Sequence, residues 1–284
     1  MLGKNFKKSM KKFEILEHKA DLKIRVFGKT KEELFENAML GMFRLADVPP
    51  AYEVTMLLLQ EIVDCYMQKV SELKEHCERC LRTERWGGSV VLMVVDVAFT
   101  SIGLNYFTAV VPKVEEFSKK FVENRRIRSL KDLAEADINE LRRVWKNKRS
   151  WIIAKNIASY LSTLNEDDKI ALRTWAKNAK FENWREDPIG RIKGVGLITF
   201  QYLRMMGGVD TVMPDKIVKR VINEILVKAG LEPVNDDIEF IKKAEEVALA
   251  CGYRPIELCW MTWLIQPEGK IMRMDKYSKI LSKI

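Results

Sequence analysis

The chain has 284 residues, 47% of them hydrophobic and 31% charged. That balance can bury one large core or two ordinary ones, and it excludes collagen-like, low-complexity and wholly disordered chains. Lys and Arg number 49 against 40 Asp and Glu, a net charge of +9 that points to a polyanionic partner, and five cysteines, an odd number, fit a reducing cytoplasmic compartment rather than a disulfide framework.

Residues 1–12 form a basic tail with Lys4, Lys7, Lys8, Lys11 and Lys12, and no apolar run follows it, so no secretory signal is expected. Leu22, Ile24 and Val26 alternate with Lys23 and Arg25, the period of a strand with one wet face. After a turn at Gly28-Lys29-Thr30, Thr30 and Glu33 make a capping box for a helix whose apolar face is Leu34, Phe35, Ala38, Met39, Met42 and Phe43. A unit of this size with one clear strand cannot close a core alone and must pack on something else.

The chain divides near Asp47-Val48-Pro49-Pro50, and the rest reads as helix after helix, without a convincing alternating strand. Amphipathic stretches run over 56–80 and 130–145, then over 151–161 with Ser150 as N-cap, then over 239–250 and 256–265. The most membrane-like run, Ser89 to Val111, carries Asp96, Ser101, Gly103 and Asn105, and so predicts a buried helix turning near Gly103 rather than a membrane span.

The stretch Phe13-Glu14-Ile15-Leu16-Glu17-His18-Lys19-Ala20-Asp21, with Gly28-Lys29-Thr30 and Glu36-Asn37-Ala38, resembles the archease family, whose members assist RNA ligation and tRNA modification enzymes. The similarity spans about residues 13–45, roughly the first third of such a protein. It places the family's metal-binding acidic residue at Asp21. The acidic C-terminal end that completes that site is not found in this chain, and Lys19 stands where the family usually has Thr. The expectation is a structural remnant or docking unit, with no metal bound.

The most informative segment runs from Asp187 to Phe200. Asp187-Pro188 is a strong helix start that predicts a short helix to about Lys193. Gly194-Val195-Gly196 then turns tightly into an apolar helix reaching Met206, closed by Gly207-Gly208. Glycines there permit positive φ and let a phosphate approach the backbone, where the amides of a helix mouth can hold it. Lys193 supplies a cation beside the turn. A plain interhelical turn would account for the glycines equally well. About nineteen residues after Gly196, Asp215 opens a helix with Ile217, Val218, Val221, Ile222, Ile225 and Leu226 on one face.

Gly194, Val195, Gly196 and Thr199, followed by Asp215, Val218, Arg220 and Val221, resemble the helix-hairpin-helix DNA glycosylase superfamily, relatives of endonuclease III, with looser similarity over about residues 85–230. The resemblance implies two helical lobes, a hairpin on the DNA backbone and a cleft for an everted base. Cleaving an N-glycosidic bond builds positive charge on the sugar, which a nearby carboxylate stabilises. Asp215 is the candidate catalytic residue, an ordinary N-cap being the plainer reading, and Asp210 is the rival carboxylate. Bifunctional members carry a Schiff-base lysine two residues after the second glycine; here that position is Ile198, so no lyase step through it is expected.

The expected DNA contacts are Lys193, Gly194, Val195, Gly196, Thr199, Lys216, Lys219 and Arg149. Arg149 lies in the basic loop Lys146-Asn147-Lys148-Arg149-Ser150-Trp151, where Trp151 is either a wedge into the duplex or a core residue. His76-Cys77-Glu78-Arg79-Cys80 has no second pair at zinc spacing, so no metal is expected there either. The expected protein is mainly α: a two-lobed glycosylase-like domain over 51–284 behind a strand-turn-helix (α+β) unit over 13–48. It is expected to be a monomeric monofunctional DNA N-glycosylase with double-stranded DNA as partner and RNA as a second candidate partner, no cofactor and no membrane. The alternatives are a non-catalytic nucleic-acid-binding module and an RNA-processing accessory protein acting through the archease-like unit.

Overall fold

A computed structural model describes residues 13–16, 23–45, 52–70 and 73–284. Strands β1 (Phe13–Leu16) and β2 (Lys23–Val26) pair antiparallel, Phe13 opposite Val26, and helix α1 (Lys31–Leu45) packs on them. Thr30 Oγ1 accepts the Glu33 amide at 3.1 Å and the Glu33 carboxylate accepts the Lys29 amide at 2.7 Å, the predicted start of α1. Its predicted apolar face is only partly used. Met39 packs toward the core together with Leu40, whereas Leu34, Phe35 and Met42 stay exposed, because a two-stranded ribbon is too narrow to cover the helix.

Beyond this unit the chain is helical. Helices α2 (Tyr52–Met67) and α3 (Leu73–Leu81) replace the single stretch predicted over 56–80. A 3-10 turn at Arg85–Gly88 leads into α4 (Val90–Thr100), the predicted buried helix, which ends before Gly103 at φ 72°. Helix α5 (Val111–Phe117) lies between two π-turns. Then follow α6 (Leu130–Glu135), α7 (Ile138–Leu141), α8 (Lys148–Leu161), α9 (Asp168–Asn178), α10 (Leu197–Met206), α11 (Lys216–Lys228), α12 (Asp237–Ala250) and α13 (Pro255–Leu264). A two-residue ribbon missed in the sequence, β3 (Pro267–Glu268) with β4 (Ile271–Met272), turns at Gly269 into α14 (Arg273–Leu281). Asn147, not Ser150, caps α8: its Oδ1 accepts the Arg149 amide at 2.9 Å and the Ser150 amide at 3.3 Å, which places Arg149 in the first turn. Among the described residues no helix is long and apolar enough to cross a membrane.

The helices sort into two packing groups. Helices α4, α6, α8, α9 and α10 pack on one another, while α2, α3, α11, α12, α13 and α14 form a second group around α13. The chain thus starts its helical part in one lobe, builds the other, and returns through residues 207–215. Helix α3 against α10 joins the two.

At that seam lies a wholly buried polar network. Asp96 Oδ2 on α4 accepts from Trp86 Nε1 at 2.8 Å, the Tyr106 hydroxyl at 3.0 Å and the Tyr202 hydroxyl of α10 at 3.2 Å. The Arg85 guanidinium stands 3.8 Å from the same oxygen and donates to the Tyr106 hydroxyl at 2.8 Å. Its other end lies 3.4 Å from His76 Nε2 on α3. Since a guanidinium only donates, that nitrogen is the acceptor of a neutral imidazole, and burial, then Arg85, holds the His76 pKa well below its usual range. Trp260 of α13 meets the His76 ring edge-on at 4.7 Å.

Candidate functional site

The predicted helix over 187–193 is reduced to turns. Asp187 Oδ1 accepts the Ile189 amide at 2.8 Å, and the Arg191 amide reaches the Asp187 carbonyl at 2.9 Å. The segment closes there because Gly194 follows before a second helical turn can propagate. The Asp187 carboxylate is anchored from below by Trp175 Nε1, at 3.1 and 3.2 Å from its two oxygens.

Gly194 adopts φ 103°, a conformation that favours glycine, and the Val195 amide bonds back to the Ile192 carbonyl at 2.9 Å. Gly196 is the N-cap of α10 and supplies no side chain to its first amides, so that positive helix end is available to an anion. Arg149 lies against the turn: a methyl built on Gly194 would stand 2.8 Å from Arg149 Nε. Lys193 and Lys148 are exposed nearby in sequence to these two residues. The fold thus brings together a hairpin and a cation that are about forty-five residues apart in the chain.

The other expected contact residues differ in their surroundings. Val195 and Thr199 are buried, so their side chains fix the hairpin to the core and only the Val195 backbone is left for a ligand. Lys219 is occupied by the Asn235 carbonyl at 2.5 Å and Asp237 at 2.7 Å. Lys216 remains exposed. Trp151 is fully buried, donates to the Trp145 carbonyl at 2.8 Å and packs edge-on against Phe99, so it is a core residue and not a wedge. Ile198, two residues after Gly196, is 44% exposed.

Asp215 is the N-cap of α11. Its Oδ1 accepts the Ile217 amide at 2.7 Å and the Val218 amide at 2.9 Å, and its Oδ2 accepts the Trp263 indole N–H. Burial pushes its carboxyl above the usual range, opposed by these donors and by Arg273. Arg273 sits 4.9 Å over the Trp263 ring and donates to Glu268 at 2.9 Å. Glu268, which also accepts from the Tyr277 hydroxyl at 2.5 Å and Lys276 at 3.0 Å, is held down to about 2, chiefly by Tyr277. Sequence reasoning missed Trp263, Arg273 and Glu268: Trp263 lies 48 residues beyond Asp215, and no local pattern links them.

The rival Asp210 accepts the Ile256 amide at 2.9 Å and so serves the start of α13. Two surface clefts, about 640 Å³ between α3 and α14 and about 250 Å³ beside α6 and α7, are lined by residues other than Asp215. Asp21 and the lysines of residues 1–12 lie outside the described residues.

The Archease protein family matches residues 13–56. The archease of Methanosarcina barkeri is 54% identical over 35 residues, 12% of this chain and 24% of that protein. The archease of Saccharolobus islandicus is 53% identical over 36 residues, 13% of this chain and 26% of that one. The chain spans about a quarter of the length of these curated relatives. Among solved structures, the 8-oxoguanine DNA glycosylase of Thermotoga maritima is similar with a TM-score of 0.44 and 17% identity, over 77% of this chain and 99% of that one. A domain of unknown function, DUF8548, matches residues 64–267 of the 284, and the chain belongs to that family.

Proposed function

We propose that the protein grips duplex DNA through the Gly194–Gly196 hairpin, Arg149 and Lys193, and acts as a DNA N-glycosylase without a Schiff base. The observation that carries this reading is the seating of Asp215. Its carboxylate is fixed at the positive end of α11 with both oxygens oriented by donors, and burial strengthens its field on a developing positive charge. In such a reaction the C1′–N bond breaks, the electron pair leaves with the base, water adds to C1′, and the proton that water loses ends on the departed base. The carboxylate would stabilise the cationic sugar between these events. With Ile198 two residues after Gly196, the product is an intact strand carrying an abasic site.

A second reading, a nucleic-acid-binding module without chemistry, draws on the same carboxylate, because two amides of its own helix already account for it as a helix cap. The archease similarity of residues 13–56 favours a third, an accessory role in RNA processing. Incubating the protein with duplexes that contain uracil, alkylated, oxidised or mismatched bases, then adding alkali to break abasic sites, separates them. The glycosylase reading expects cleavage with at least one lesion, and loss of about a hundredfold or more in Asp215→Asn with DNA binding retained. No cleavage with any duplex, but salt-sensitive binding, leaves the binding module.

A further inference from the structure

Asp215 takes two of its three hydrogen bonds from its own helix, as many N-cap aspartates do. The third is different. Trp263, on α13, donates its indole N–H to Oδ2, so the carboxylate plane is fixed from a second element. Trp263 is itself held. The Arg273 guanidinium at the start of α14 lies 4.9 Å over its ring, and Arg273 is pinned by Glu268 of β3 at 2.9 Å. Nothing in the fold of α11 requires this arrangement, since Ile217 and Val218 already satisfy the cap.

We infer that Trp263 is the positioning residue of the Asp215 carboxylate, and that Arg273, braced by Glu268, keeps the indole in place. This rests on the glycosylase reading above. A tryptophan suits the task because it offers one donor and no acceptor, so it binds the ionised carboxylate and cannot take a proton from the neutral acid. Its ring presents a face that a guanidinium covers. The charged and titratable groups around Asp215 are Arg273, which draws its carboxyl down, Cys259 of α13, whose thiol burial pushes up, and Glu268 beyond Arg273. Trp263 and Arg273 therefore act in one direction, toward an ionised Asp215, against the desolvation that acts in the other.

The test uses the full-length chain and two readouts. Carbon NMR of the Asp215 carboxyl in the DNA-free protein follows its titration, and base release against pH follows function. Trp263→Phe keeps a ring for Arg273 to cover but removes the donor. Its Asp215 titration should move to higher pH, the acid limb of base release should move with it, and release near neutral pH should fall about tenfold. Arg273→Gln, which leaves the indole intact, should move both in the same direction by less and guards against a phenylalanine variant that folds poorly. An Asp215 titration unchanged in Trp263→Phe, or an acid limb that stays in place while the titration moves, overturns the inference. If the unmutated protein releases no base, the glycosylase reading falls. A shifted Asp215 titration then makes the indole a helix-cap brace and the positioning role falls as well.

Discussion

The Arg149 guanidinium rests on the hairpin at Gly194, so close that a methyl group on that glycine would stand 2.8 Å from Arg149 Nε and 3.0 Å from Ile153 Cδ1. Gly194→Ala meets this crowding and a φ of 103° together. It should cost on the order of 1–3 kcal/mol in urea unfolding and weaken duplex binding as the hairpin and Arg149 separate.

Arg149→Ala and Lys193→Ala test the phosphate grip without disturbing the turn. Each should weaken all duplex sequences alike and lower the slope of log affinity against log salt by roughly 0.9, read by anisotropy titrations at several salt concentrations. An unchanged slope removes that residue from the interface. Lys219→Ala should leave the slope alone, because its ammonium already serves Asp237 and the Asn235 carbonyl.

Borohydride in the reaction mixture should trap no covalent complex with DNA, because Ile198 cannot form an imine. Trapping through Lys193 or Lys216 would make that lysine a nucleophile and replace the monofunctional mechanism. Asp215→Asn keeps the cap through its Oδ1 but turns an amide NH2 toward the Trp263 indole N–H, so it should lose about 1–2 kcal/mol of stability, and Asp215→Ala should lose about as much with the cap.

Asp96→Ala should be far more damaging than either, because it leaves the wholly buried Arg85 without its counter-charge. The expected cost in urea unfolding is about 3–5 kcal/mol, and replacing both Arg85 and Asp96 with apolar residues of similar size should recover much of it.

Glu268 gives a pH signature. Its carboxyl titrates near 2 when folded against an ordinary 4.5, so the folded protein holds fewer protons between those values. Its stabilising contribution is complete above pH 4.5 and is lost as pH falls toward 2. Glu268→Gln should therefore lower the melting temperature near neutral pH, and the difference from the unmutated protein should shrink across that interval.

Much of the scaffold was legible because its signals are local. Asp215 before an apolar-periodic run marked the start of α11, Gly207 marked the end of α10, and Thr30 with Glu33 marked the start of α1. The misplaced features depended on tertiary context. Ser150 and Asn147 are both good caps, and only the observed bonds choose Asn147. Trp151 follows a basic loop that reads as surface, yet its ring fills the space beside Phe99 and Phe117. The support of Asp215 was invisible for the same reason: Trp263 and Arg273 meet it only after α13 and α14 fold back on α11.

The seam between the lobes has a mechanical meaning. It is crossed by directional bonds as well as by apolar packing: Arg85 toward His76 of α3, and Arg173 of α9 to the Leu81 carbonyl and Thr83 hydroxyl, each at 3.0 Å. Apolar faces can slide over one another, but hydrogen bonds of fixed geometry across the seam resist any opening that would pull them apart. On the glycosylase reading, a duplex laid across this seam meets an anvil rather than a pair of jaws. The deformation needed to present a base then falls on the DNA, and sequences that kink easily should be served first.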